Sequence, residues 1–250
     1  MKAGAVAIAT LVLVSACAAH ATTSSELSSP SAATSQSNRG STSATHTRKL
    51  PAPPFDRTRH SLTDPRSIWV IVNKRHPITP LDFHPEVALV RGYQVATAAA
   101  RPLARLLETA DRAGVHLKIA SAFRSLGYQE GVHSHLVATL GLRAADAISA
   151  RPGYSEHQTG LAVDLQPLDG ACALDACFVH TRAGRWLAAH AWTFGFVIRY
   201  TDANRRVTGY SPEPWHVRYV GTALARELRD TCIGSLETFF GVPGGGYPPG

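Results

Sequence analysis

At 250 residues, with 44% hydrophobic and 17% charged residues, the chain has room for one full globular domain plus appendages, which excludes a second large domain. The net charge of +7 favours solubility and anionic surroundings such as wall polymers or lipid head groups. By itself it identifies no partner, and a nucleic-acid partner is not expected.

Residues 1–17 read MKAGAVAIATLVLVSAC: one Lys, a short apolar run, then small residues. The run is too short to span a bilayer comfortably and has the proportions of a secretory signal. It ends in Val14-Ser15-Ala16-Cys17, which resembles the bacterial lipobox. Cys17 is therefore expected to carry lipid and to anchor an exported protein on the outer face of the cytoplasmic membrane. Residues 18–59 are rich in Ser, Thr, Ala and Pro and offer little apolar surface to offset ordering entropy, so a disordered tether is expected there. The folded domain is expected over 60–241. A Gly/Pro-rich flexible tail is expected over 242–250.

In the folded part, Ser67–Asn73 reads as a short apolar strand. Residues 95–113 read as a helix with Leu103, Leu106, Leu107 and Ala110 on one face, its regular part starting near Pro102. A half-buried strand follows at 115–120. Ser125 is placed to cap a helix running to Gly141, with Val132, Leu136 and Leu140 inward. Residues 161–166 alternate as a strand. A helix over 182–194 is capped by Thr181 and stopped by Gly195. Two further strands cover 196–200 and 215–219. Helices mixed with closely spaced strands predict an α+β fold, a small and largely antiparallel sheet packed with several helices. Cys172 and Cys177 are five apart in a loop and spaced for a local disulfide in an oxidising compartment, which leaves Cys232 over.

The chemistry sits in three pieces. In the first, PGYSEHQTGLAVD (152–164), the alternation that buries Leu161, Val163 and Leu165 turns Asp164 to the opposite face, where it can share a cation with His157. The second is EPWHVRYVG (213–221). Trp215, Val217 and Tyr219 face the core, His216 and Arg218 face the other side, and Pro214 lets Glu213 reach the space near His216. Two His and one Asp form a three-ligand zinc site with the fourth position left for water, and Glu213 is then available as general base. The third piece, SAFRSLGYQ (121–129), puts Arg124 at a strand end, where it can pair with a carboxylate or steady an oxyanion. Ser155 and Gln129 are candidates for polar contact with substrate, and Trp215 lies close to the cleft.

These three runs, together with GRWLAAHAWTFGFVIRY (184–200), resemble the VanY-type D-alanyl-D-alanine carboxypeptidases over roughly residues 65–230, in the same order. The resemblance implies one zinc ion held by His157, Asp164 and His216, Glu213 as catalytic base, and Arg124 as the active-site arginine. It also implies peptidoglycan stem peptides as substrate and release of the terminal D-Ala from D-Ala-D-Ala ends. Phe123 stands where the family often has Tyr. An L,D-carboxypeptidase on tetrapeptide stems and an endopeptidase on cross-links need the same machinery. A non-catalytic wall-binding module is disfavoured because Glu213 and all three ligand positions are present.

Overall fold

The computed structural model describes residues 54–248. The predicted signal segment, Cys17 and nearly all of the tether lie outside the described residues. In chain order the elements are strands β1 (Val87–Val90) and β2 (Tyr93–Ala96), helix α1 (Thr97–Arg112), β3 (Leu117–Ser121), α2 (Leu126–Leu140), α3 (Leu142–Ile148), β4 (Ala162–Pro167), α4 (Arg182–His190), β5 (Phe196–Tyr200), α5 (Arg205–Thr208), β6 (Glu213–Tyr219), α6 (Thr222–Asp230) and α7 (Leu236–Phe240). Strands β3, β4, β6 and β5 form one antiparallel sheet in that order, and β1 and β2 form a separate hairpin. The architecture is the expected α+β sheet with helices packed around it.

The main core lies between α1 and the sheet. Leu103, Leu106 and Leu107 from α1 meet Leu117 and Ile119 of β3, Val163 and Leu165 of β4, and Val217 of β6. A second cluster joins Trp69 and Ile71 to Leu224 and Leu228 of α6 and Phe239 of α7. Among the described residues, no helix is long and apolar enough to cross a membrane.

Several expectations are corrected. Residues 67–73 are buried but not a strand, apart from an isolated bridge between Asn73 and His76. Their apolar alternation serves two cores, Val70 and Val72 in the main one and Trp69 and Ile71 in the second. The carbonyls of Ile68 and Val70 accept from Arg218 Nη2 (3.2 and 2.8 Å) in place of ladder bonds. Helix α1 starts at Thr97, so Pro102 sits inside it; the local cost is the bond its nitrogen cannot donate to Ala98. The expected first residues, Val95 and Ala96, belong to β2, and the Ala96 amide donates to the Gly160 carbonyl (2.8 Å).

On α2, capped by Ser125 as expected, the buried residues are Gln129 and His133 rather than Val132, Leu136 and Leu140. Polar anchoring outweighs the apolar pattern here, since His133 Nε2 meets Asp146 Oδ1 at 3.0 Å and Leu140 stays 49% exposed. The domain edges also shift. Phe55, expected in the tether, stacks on Trp69 at 5.6 Å. Tyr247, expected in a flexible tail, accepts from the Arg151 amide (2.7 Å) and meets the Tyr154 ring edge-on. Cys172 and Cys177 are disulfide-bonded, and Cys232 is not a free thiol.

Candidate metal centre

Three strands deliver the site as one row across the sheet. Asp164 of β4 pairs directly with His216 of β6 and, on its other side, with Ser121 of β3. Directly opposed residues project from the same face with Cβ atoms about 5 Å apart. The β3 register shifts between Ile119 and Ser121, a bulge that re-aims the strand end toward the site. The β5–β6 register shifts near Pro214, which cannot donate to a ladder, and this brings Glu213 opposite Tyr200.

His157 arrives from a 3-10 turn, Glu156–Thr159, whose N-cap Ser155 accepts from the His157 amide (3.3 Å). The turn ends at Gly160 in the left-handed region (φ 67), where a Cβ would lie 2.7 Å from the Ala96 nitrogen. Only glycine allows both that turn and that approach.

One donor atom each from His157, Asp164 and His216 lies within 4.8 Å of the others, and all three residues are buried. His157 Nδ1 lies 2.6 Å from the Ala122 carbonyl, which fixes the proton there and leaves Nε2 facing Asp164 Oδ2 at 3.2 Å. His157 Nε2 makes no hydrogen bond although it is buried. His216 Nδ1 lies 3.2 Å from Asp164 Oδ1. Asp164 Oδ1, like His157 Nε2, is buried without a hydrogen-bond partner, and a set of two imidazoles and one carboxylate with such orphaned atoms fits a zinc ion.

Glu213 Oε2 is 3.5 Å from His216 Nδ1, near the metal position but outside the ligand trio. Burial pushes the Glu213 carboxyl up to about 7, with His216 opposing. Burial, and then Arg124, lowers His157 to about 4. Burial also acts to lower His216, but the hydrogen bonds to Asp164 and Glu156 outweigh it and hold the ring at about 9. Burial would raise Asp164; His157 and His216 more than offset this and keep it ionised.

Arg124 Nη1 donates to Ser121 Oγ (2.8 Å) and lies 3.6 Å from Asp164 Oδ2. Its Nε donates to Gln129 Oε1 (3.0 Å). Ser155, Arg124 and Glu213 line a small cleft of about 40 Å³ beside His157 and His216. Two of the sequence assignments are corrected. Gln129 is fully buried, and its amide nitrogen is committed to Ser149 Oγ and the Ala150 carbonyl, so it clamps Arg124 instead of facing substrate. Trp215 packs against the main core, on the other side of β6 from His216, and does not line the cleft.

Sequence reasoning missed Tyr200 and Tyr210, which close the cleft, and Glu156, which lies under it. Tyr210 sits in a loop with no pattern to mark it. Glu156 had a signal. Arg199, the one charged residue of β5, and Arg218 on β6 are fully buried, and buried cations need anionic partners.

The fold and donor set define a metal-dependent hydrolase site. The family model described as "VanY: D-alanyl-D-alanine carboxypeptidase" matches residues 92–222. The chain belongs to that family. Among relatives, "Putative carboxypeptidase YodJ" of Bacillus subtilis (strain 168) is 32% identical over 191 residues, covering 72% of this chain and 69% of that protein. A D-alanyl-D-alanine carboxypeptidase of Enterococcus faecalis (strain ATCC 700802 / V583) is 31% identical, covering 64% of this chain and 60% of its own length.

Among solved structures, the LdcB LD-carboxypeptidase is 32% identical with a TM-score of 0.64, covering 72% of this chain and 88% of that one. A VanY D,D-pentapeptidase mutant in complex with Zn(II) is 31% identical with a TM-score of 0.60, covering 68% and 97%.

Proposed function

We propose that the chain is a zinc-dependent D,D-carboxypeptidase that removes the terminal D-Ala from D-Ala-D-Ala stem peptides of peptidoglycan. The observation that carries this is Glu213, a buried carboxyl held near neutrality 3.5 Å from a metal-facing nitrogen of His216. His157, Asp164 and His216 hold the ion, which when bound supplies Lewis acidity and makes water a nucleophile near neutral pH. Glu213 takes the proton from the attacking water and returns it to the leaving amine, a role that suits a carboxyl poised near the working pH. Arg124, fixed by Ser121 and Gln129, pairs with the free carboxylate at the end of the substrate. Ser155 offers a hydroxyl at the cleft wall. The dry surroundings of these groups strengthen each charge interaction.

A second reading, an L,D-carboxypeptidase on tetrapeptide stems, is favoured by the likeness to LdcB and to a pneumococcal L,D-carboxypeptidase DacB, which is 37% identical with a TM-score of 0.59. Export and lipidation at Cys17 complete the proposal and rest on residues 1–17.

The test is D-alanine release by the full chain from muramyl penta- and tetrapeptides, with and without chelator. Release from the pentapeptide alone, lost with chelator and restored by zinc, is the expected result. Release from the tetrapeptide moves the assignment to the second reading. Release from neither by the zinc-loaded chain refutes the exopeptidase reading.

A further inference from the structure

Beneath the metal centre lies a chain of buried charges that the mechanism above does not use. Glu156, fully buried, is the residue before His157. Its Oε1 accepts from Arg199 Nε (2.8 Å) and from Arg218 Nη1 (2.9 Å). Its Oε2 faces His216 Nε2 at 3.4 Å. Arg199 continues to Glu237 of α7 through two bonds (3.0 and 2.6 Å), and Glu237 Oε1 accepts from Asn73 Nδ2 at 3.0 Å. Asn73 and Glu237 both lie outside residues 92–222, the segment that matches the family model.

The two histidines of the centre are thus oriented differently. His157 gives its outward proton to a backbone carbonyl, whereas His216 has only the Glu156 carboxylate at its outward nitrogen. A carboxylate there holds a proton on Nε2, so that the nitrogen the ring gives up to a metal ion is Nδ1, which faces Asp164 and Glu213.

We infer that Glu156 is a positioning residue of the metal centre, setting the tautomer and ring angle of His216, and that Arg199 of β5 and Arg218 of β6 hold it in place, Arg199 being braced in turn by Glu237 of α7. The inference rests on the metal reading of the His157–Asp164–His216 site. The donor count explains why a neutral stand-in fails. In Glu156→Gln the single amide oxygen satisfies the two arginines, and the amide nitrogen turns a donor toward His216 Nε2. His216 must then carry its proton on Nδ1, the nitrogen the metal needs, or rotate away.

The test uses the full chain and two variants. Zinc affinity is measured by competition with a chromophoric chelator. Glu156→Gln is expected to lose about 10–100-fold, the usual cost of removing an outer partner of a ligating His. Glu237→Gln removes the same buried charge one step further out, without touching His216, and is expected to bind zinc within about threefold of wild type, because it leaves that outer partner in place. If both variants lose affinity equally, the effect is the charge of the network and the orienting role is refuted.

Should Glu156→Gln fail to fold, long-range proton–nitrogen correlation spectra of the zinc-loaded wild-type chain still decide. A His216 proton on Nε2 is the expected result, and one on Nδ1 overturns the inference. A wild-type chain that binds no zinc refutes the metal reading itself. Tight binding by wild type with unchanged affinity in Glu156→Gln refutes only the role given to Glu156.

Discussion

Replacing Gln129 with methionine separates a substrate contact from a buried clamp. The side chains are nearly the same length, so no large cavity results, but three hydrogen bonds are lost: one from Arg124 Nε (3.0 Å), and one each to Ser149 Oγ (3.1 Å) and the Ala150 carbonyl (2.7 Å). A bond to a charged group contributes about 1.5–3 kcal/mol and a neutral one about 0.5–1.5. Burying the apolar Met returns part of this, so Gln129→Met is expected to lose about 2–4 kcal/mol of stability. For a domain of this size that lowers Tm by roughly 5–15 °C. Arg124 loses one of its two fixing bonds, and a displacement of about 1 Å at a positioning group can cost up to ~100-fold in rate, so kcat/KM falls with Tm. Calorimetry of the full chain and D-alanine release measure both. A variant with wild-type Tm and a raised KM would show that Gln129 meets the substrate, and would refute the clamp.

Glu213→Gln is expected to lower kcat by about 10²–10⁴ while zinc stoichiometry stays at wild type; activity above about a tenth of wild type refutes its role as base. Replacing both Cys172 and Cys177 with Ser opens a loop of separation five, which costs about 2 kcal/mol by loop entropy. The bridge lies away from the cleft, so kcat/KM at 25 °C is expected to hold, and a loss of activity without a loss of stability refutes this. Burial lowers buried Lys74 to about 8, with Asp146 and Glu213 opposing. Between about 8 and its unfolded value near 10.4 the unfolded chain holds more protons, so this group's contribution makes stability rise with pH. Relative to Lys74→Met, wild type is expected to gain stability across that window in denaturant titrations, and a flat difference refutes the burial cost.

The metal trio was legible in the sequence because alternation and composition speak for the same residues. Leu161, Val163 and Leu165 fix the inner face of β4, which leaves Asp164 on the other, and Trp215 and Val217 do the same for His216. The same rule failed at 67–73, where both sides of the segment are buried and period-two apolarity no longer implies a ladder. It failed on α2 because Gln129 and His133 are buried by hydrogen bonds, which leave no hydrophobic trace. Trp215 was misplaced by adjacency: it is next to His216 in sequence, and neighbours in a strand point to opposite faces. Glu156 escaped because its partners, Arg199, Arg218 and His216, are 43 to 62 residues away. No local spacing rule reaches that far.

The sheet also explains how residues from distant parts of the chain meet without a dedicated loop. Ser121, Asp164 and His216 occupy one row across β3, β4 and β6, so backbone pairing sets the separation of the Arg124 anchor, the bridging carboxylate and one imidazole. The position of His157 is fixed from two sides. Its carbonyl accepts from the Arg124 amide (3.2 Å), and its ring is held by Ala122, both on the segment leaving β3. The Asp164–His216 pair sits in regular register, whereas Glu213 follows a register shift beside Pro214. A change that restored a regular ladder at Pro214 would leave Asp164 and His216 paired and turn Glu213 away from them. Metal binding and proton transfer are therefore separable in this fold: the first follows from strand pairing, the second from a local departure from it.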